Sequence, residues 1–342
     1  MLNPIIEADK IKKIEELTRV ANNIVITCHL APDGDALGSS MALYHVLAAM
    51  GKKVHVVTPD QVPVSLMFIP GVKEAVAATR HEDFSRQLFR EADLIFCLDF
   101  NAPYRIDRLQ SALESSKAPL ILIDHHLNPE VKADVIVSRP EISSTCMLLF
   151  RVICQLGWFR LVDKKVASCI YTGMMTDTGN FSYNSQDPDL YIVIAELLRR
   201  GIDKDALYKK AFNTKTINQL KINGYAIAER TYFYPEHGAA LMVLDKDDLE
   251  KYDYQPGLTE GLVNVPLSVP EIKYVVFLRQ ADGYVKVSTR SEGDIPVNEM
   301  CSKYFNGGGH KNAAGGEFYG TMEEAVKTFE KAMADFDKYF KE

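Results

Sequence analysis

Four short segments hold most of the residues able to do acid, base or metal chemistry. In the first, Thr27 to Ser39, His29, Asp33 and Asp35 lie within seven residues. Gly34 lets the backbone fold tightly between the two acids. The second is Asp99, at the end of an apolar run and just before Arg105. The third is Asp124-His125-His126, at the end of another apolar run, and the fourth is Thr176-Asp177-Thr178-Gly179. Brought to one place, these would gather Asp33, Asp35, Asp99, Asp124, Asp177, His29, His125 and His126. Five carboxylates cannot share a small site unpaired, because like charges raise each other's pKa. A cation must neutralise them, and mixed carboxylate and imidazole donors suit Mn, Zn, Fe or Co rather than Ca. The set is too large for one tetrahedral ion and matches two ions sharing a bridge. Two ions about 3.5–4 Å apart form a clamp for phosphoryl displacement.

The elements that would position these groups follow from periodicity. Residues 8–21 carry Ile11, Ile14, Leu17 and Ala21 at helical spacing. Asn23 to Cys28, Lys53 to Thr58, Asp93 to Leu98 and Leu120 to Ile123 are short apolar runs that predict buried strands. Helices are predicted from Ala36 to Met50, from Ser143 or Ser144 as cap to Leu156, and from Val166 to Met175. Strands alternating with helices predict an α/β domain with a mostly parallel sheet and helices on both faces. Three of the four segments then follow the carboxyl ends of strands, where open α/β sheets place their sites. From residue 189 the pattern changes. Asp189 to Arg200 and Lys204 to Arg230 predict connector helices. Ala239 to Leu244, Ile272 to Gln280 and Tyr284 to Thr289 predict strands, the last two joined by an Asp282-Gly283 turn. A capping box, Thr321 to Glu324, opens a final helix with Val326, Phe329, Met333, Phe336 and Phe340 on one stripe. The expected layout is an N-terminal domain over 1–190, a helical connector over 191–234 and a smaller α+β domain over 235–342.

Composition narrows the classes. The chain has 342 residues with 47% hydrophobic and 25% charged, ordinary for a globular protein of about two domains. No apolar run approaches the roughly 18 residues of a membrane span, and a charged N-terminal stretch argues against a signal peptide. Six cysteines without a C-x-x-C pair read as inert buried thiols. A cytoplasmic setting is expected. The net charge of −7 argues against a protein that grips long nucleic acid. It is uneven, at −4 for 1–190, +4 for 191–234 and −7 for 235–342.

The four segments together resemble the motifs of the DHH phosphoesterases. The run from Gly307 to His310 in Gly-Gly-Gly-His-Lys-Asn-Ala-Ala-Gly resembles the Gly-rich loop of the DHH-associated C-terminal domain, with Asn306 where that loop often has a further glycine. Size and layout are similar to the bacterial nanoRNase and pAp-phosphatase branch. The resemblance implies cleavage of short oligoribonucleotides to mononucleotides and removal of the 3′-phosphate of 3′-phosphoadenosine-5′-phosphate (pAp). It implies two divalent ions, Mn²⁺ first among them. One would be held by His29, Asp33 and Asp99, the other by Asp35, Asp99, His125 and Asp177. Asp124 would orient a histidine and His126 would face the substrate phosphate. Arg290, Gly308, Gly309 and His310 would grip the substrate, with Arg105 a further phosphate candidate. The partners implied are short oligoribonucleotides or small nucleotides, with a second copy of the chain as a candidate; long duplexes and membranes are not expected. The competing expectations are a phosphodiesterase of linear or cyclic dinucleotide messengers, a polyphosphate or pyrophosphate hydrolase, and a non-catalytic nucleotide sensor.

Overall fold

The computed structural model describes residues 3–340, apart from the side chain of Phe340, so that end of the predicted stripe lies outside the described residues. The chain divides into two compact units, Met1–Thr214 and Lys215–Glu342.

The first unit is built on six strands, β1 (Asn23–Thr27), β2 (Lys53–Thr58), β3 (Val76–Ala77), β4 (Leu94–Leu98), β5 (Leu120–Asp124) and β6 (Val135–Ser138). All pair in parallel, in the order β3-β2-β1-β4-β5-β6. Eight α-helices accompany them among the described residues, α1 (Ala8–Val20), α2 (Gly34–Ala49), α3 (Glu82–Glu91), α4 (Gln110–Ser115), α5 (Thr145–Gln155), α6 (Lys164–Asp177), α7 (Pro188–Arg199) and α8 (Lys204–Phe212). Alternate residues of the central strands serve opposite faces, as the two-residue strand period requires. Ile24, Phe96 and Ile121 join a core with residues of α1, α2, α5 and α6. Val25, Ile95 and Leu122 join another with residues of α3 and α4. Strand order reverses between β1 and β4, and a crevice opens beyond the carboxyl ends at such a reversal. His29 and Asp99 follow those two ends.

In the second unit α9 (Ile217–Glu229) leads to β7 (Thr231–Tyr234), β8 (Ala239–Leu244), α10 (Lys246–Lys251), β9 (Tyr274–Gln280), β10 (Val285–Ser291), α11 (Val297–Tyr304), β11 (Gly308–His310), β12 (Ala313–Phe318) and α12 (Met322–Phe340). The mixed sheet runs β11-β12-β10-β9-β8-β7, antiparallel except for β8 beside β9. Thr321 and Glu324 form the predicted box at the start of α12, each accepting the other's amide.

Two expectations are corrected. Lys204 to Arg230 is two helices, because Thr216 caps a new one by accepting the Gln219 amide at 3.0 Å. Leu190, Val193, Leu197 and Leu207 join the first unit's core, whereas Ile222 and Ala226 join the second's. Asp177 does not follow its helix but is the last residue of α6. The six cysteines are free, five of them buried. Burial raises their thiols, Cys154 to about 11. No helix among the described residues is long and apolar enough to cross a membrane.

Candidate metal centre

Three loops and three helix ends converge at the β1–β4 crevice. Asp33 caps α2, its Oδ1 accepting the amides of Asp35 and Ala36 at 2.9 and 3.0 Å. Its Oδ2 stays free to face His29 Nε2 at 3.8 Å. Asp35, one residue into α2 and 1% exposed, is fixed from the far side. The Thr145 and Cys146 amides at the start of α5 donate to its two oxygens at 2.6 and 2.9 Å. A helix N-terminus favours a carboxylate placed there.

Asp99 takes a left-handed backbone (φ +64), a conformation a non-glycine residue adopts at a cost. Its amide donates to the Ile123 carbonyl. The carboxylate thereby stands between two histidines, with Oδ2 3.6 Å from His29 Nε2 and Oδ1 3.6 Å from His125 Nε2. Thr145 Oγ1 donates to that Oδ1 at 2.9 Å. Thr145 thus ties Asp99 through its hydroxyl and Asp35 through its amide. The segment Ser143-Ser144-Thr145 reads in sequence only as a helix cap, and Ser144 is indeed the cap.

The histidines are oriented from behind. His29 Nδ1 donates to the Leu30 carbonyl at 2.7 Å and His125 Nδ1 to the Ile142 carbonyl at 3.1 Å. Each therefore turns an Nε2 lone pair toward the carboxylates, as a metal-ligating imidazole does. His125 Nε2 also lies 3.7 Å from Asp177 Oδ2 and 4.0 Å from Asp35 Oδ2. These spacings exceed a hydrogen bond and leave room for an ion between the donors. His29, Asp33 and Asp99 form one group able to hold an ion, and Asp35, His125 and Asp177 form another. Asp99 and His125 also group with His126. His126 Nδ1, however, is engaged with the buried Asp124 Oδ1 at 2.7 Å, which leaves its Nε2 as the outward atom.

Without cations the cluster is electrostatically strained. Burial, then Asp99, Asp177 and Asp33, push Asp35 well above the usual carboxylate range. Burial and Asp99 push Asp177 up to about 6, against the pull of His125. His29 is lowered by burial, yet the carboxylates of Asp33 and Asp99 carry it up to about 10. His29 in turn holds Asp33 below its ordinary value against burial. Asp124 raises His126, with Arg105 acting the other way. Anions forced up and an imidazole forced up in one pocket are what missing positive charge produces, so the donor set fits divalent metal ions.

In the second unit Arg290, Ala313 and His310 lie in one cross-strand row, so Arg290 and His310 share a sheet face. Asn306 has φ +45, the left-handed backbone a glycine would otherwise supply, and its side chain donates to the Glu317 carbonyl. The glycines differ in their reasons. A Cβ on Gly307 would fall 2.0 Å from the Gly315 carbonyl oxygen, and one on Gly309 2.7 Å from that of Ala313. At Gly308 it would reach open space, its nearest neighbour Ser302 Oγ at 4.0 Å. Packing demands the first two, not the third. Arg290 also lines a cavity of about 310 Å³ with Arg279, Lys286 and Ser288, residues that the sequence does not single out.

Known proteins match this arrangement. The N-terminal domain of the DHH family matches residues 23–174, and the DHHA1 domain matches residues 239–337. The bifunctional oligoribonuclease and PAP phosphatase NrnA of Bacillus subtilis is 26% identical over 324 residues, 94% of this chain and 96% of that protein. The protein of the same name from Thermus thermophilus is 30% identical over 312 residues, 90% and 87% of the two chains. A crystal structure of an exopolyphosphatase-related protein from Bacteroides fragilis is 45% identical, with a TM-score of 0.94 and both chains fully covered. Motifs, fold and relatives agree: the chain belongs to the DHH family, with a DHHA1 domain following the DHH domain, and is a hydrolase.

Proposed function

We propose that this chain is a two-metal phosphoesterase that cleaves short oligoribonucleotides to mononucleotides and converts pAp to AMP. The observation that carries the reading is Asp99, whose two oxygens face two histidines on opposite sides. The activities printed for the Bacillus subtilis and Thermus thermophilus relatives support the substrate class.

His29, Asp33 and Asp99 would hold one ion; Asp35, Asp99, His125 and Asp177 would hold the other. Divalent cations bound there, Mn²⁺ in this reading, would supply charge neutralisation at the phosphate and a more acidic water. The protein's part is orientation and proton handling. Asp124 fixes His126 so that Nε2 faces the substrate, where its proton meets charge developing on phosphate oxygens. Arg290, the open backbone at Gly308, the neighbouring Gly309 and His310 hold the nucleotide, with Arg105 a further phosphate contact beside His126.

The test is product analysis with Mn²⁺ on pAp, a 5′-labelled RNA dinucleotide, cyclic di-AMP and polyphosphate. AMP from pAp and mononucleotides from the dinucleotide are expected. The Bacteroides fragilis likeness makes polyphosphate the telling control. Faster phosphate release from polyphosphate than from either nucleotide would replace this reading.

A further inference from the structure

The cavity that contains Arg290 has a second end. Along β10 the residues Lys286, Ser288 and Arg290 alternate with Val285, Val287 and Thr289, which are buried toward the α12 side. Lys286 pairs directly across the ladder with Arg279 of β9, and Ser288 with Phe277. Side chains of directly opposed residues share a face, so the cavity floor is Ser288 and Phe277, with cations at both ends. The Arg290 and Lys286 rows are four residues, ~13 Å, apart along the strand. The cavity's volume of about 310 Å³ lies within the range of small-ligand sites.

Two like charges opposed across a ladder weaken the sheet unless something compensates. No ion pair among the described residues does so. Arg279 donates only to the Gln280 carbonyl, at 3.4 Å, and Arg290 only to that of Thr289. Neither these two nor Lys286 forms an ion pair, although the domain around them is acidic. Glu260 lines the same cavity without forming an ion pair, and Glu317, opposite Lys286 on β12, accepts the Tyr319 hydroxyl. Arg279 is held by stacking, its guanidinium 4.8 Å from the Tyr254 ring centre. A held guanidinium beside an unpaired ammonium, in a concavity, suits a phosphate group.

We propose that Arg279 and Lys286 form a second phosphate subsite, distinct from the Arg290 end, that holds a further phosphate of a chain of three or more nucleotides. This rests on the oligoribonuclease reading above. The subsite favours such chains over pAp, whose two phosphates sit on one nucleoside and are too close to span both ends.

The test compares the wild type, R279A/K286A and the charge-keeping R279K/K286R on pAp and on the 5′-phosphorylated trinucleotide pApApA with Mn²⁺. The alanine pair is expected to raise KM for pApApA at least ~10-fold more than KM for pAp, with kcat held, as lost charge-assisted bonds predict. The charge-keeping pair should restore most of that selectivity. Equal changes on both substrates, or none on pApApA, overturn the subsite. Calorimetry with a non-hydrolysable trinucleotide separates the two claims. If the wild type cleaves no RNA but binds this probe, and the alanine pair binds it at least ~10-fold more weakly, the function is wrong and the subsite stands. Equal binding by the two proteins overturns the subsite whatever is cleaved.

Discussion

The two units carry opposite charges in opposite ways. In the first, Asp35, Asp99 and Asp124 are buried while Asp33 and Asp177 are exposed, and all but Asp177 are tied: Asp33 by two amides, Asp35 by two more, Asp99 by Thr145, Asp124 by His126. In the second, Arg279, Lys286 and Arg290 are half-buried or exposed and form no ion pair among the described residues. Fixed charge in a dry site suits chemistry, because preorganised groups need not reorganise as charge develops. Charge without an ion-pair partner at a wetter surface suits capture, where the ligand itself supplies the counter-charge. Chemistry and selection should therefore fail separately.

The sharpest way to break this contrast is D99A. Loss of the shared ligand should lower Mn²⁺-dependent hydrolysis by more than ~10³-fold. Near-wild-type turnover in folded D99A protein would sink the two-ion assignment. Next comes H126A, expected to lower kcat by ~10²–10⁴-fold. D124N should follow it at ~10–100-fold, as the partner that orients the ring. A D124N effect exceeding that of H126A would give Asp124 a more direct part.

T145V removes one hydrogen bond and should weaken Mn²⁺ binding ~10–100-fold, read by calorimetry rather than rate, with T145S restoring it. Unaltered stoichiometry and affinity would leave Thr145 a mere helix residue. G308A should leave the melting temperature nearly unmoved, since its Cβ meets open space, yet raise KM several-fold. A large loss of stability would show that packing, not ligand approach, requires this glycine.

The smallest expected effect concerns pH. Asp177, at about 6, and Asp35 lie above their unfolded values, as does His29, at about 10. The metal-free fold therefore binds more protons than the unfolded chain between pH 7 and 5. Its stability should rise as pH falls through that window, by roughly 1 kcal/mol or more. The metal-loaded protein should show the reverse, because protons compete with the ions. Thermal melts with chelator and with Mn²⁺ would test both signs.

Much of the first unit is legible in sequence because its central strands are short, apolar and followed directly by polar residues. Lys53 to Thr58 and Ala239 to Leu244 match β2 and β8 residue for residue. What escapes depends on partners distant in sequence. Thr145 gains a task only when folding brings Asp35 and Asp99 to it. Arg279 and Lys286 look like ordinary strand charges until the hairpin register sets them opposite each other. β12, reading Ala-Ala-Gly-Gly-Glu-Phe, lacks the branched residues that announce a strand and forms because two neighbours pair with it. The break before Thr216 is hidden because a capping threonine differs little in type from the polar residues of an exposed helix.

Asp177 is placed differently from the other acids of the site. α2 brings its first turn, and α6 its last, to the same place; a Cβ on Gly34 would strike Thr176. Asp35 therefore sits at the positive end of one helix and Asp177 at the negative end of the other. Asp177 accepts no hydrogen bond among the described residues. Among the acids of the site it keeps both oxygens free to reorient, while Asp33, Asp35, Asp99 and Asp124 are held in place by amides, a hydroxyl and an imidazole.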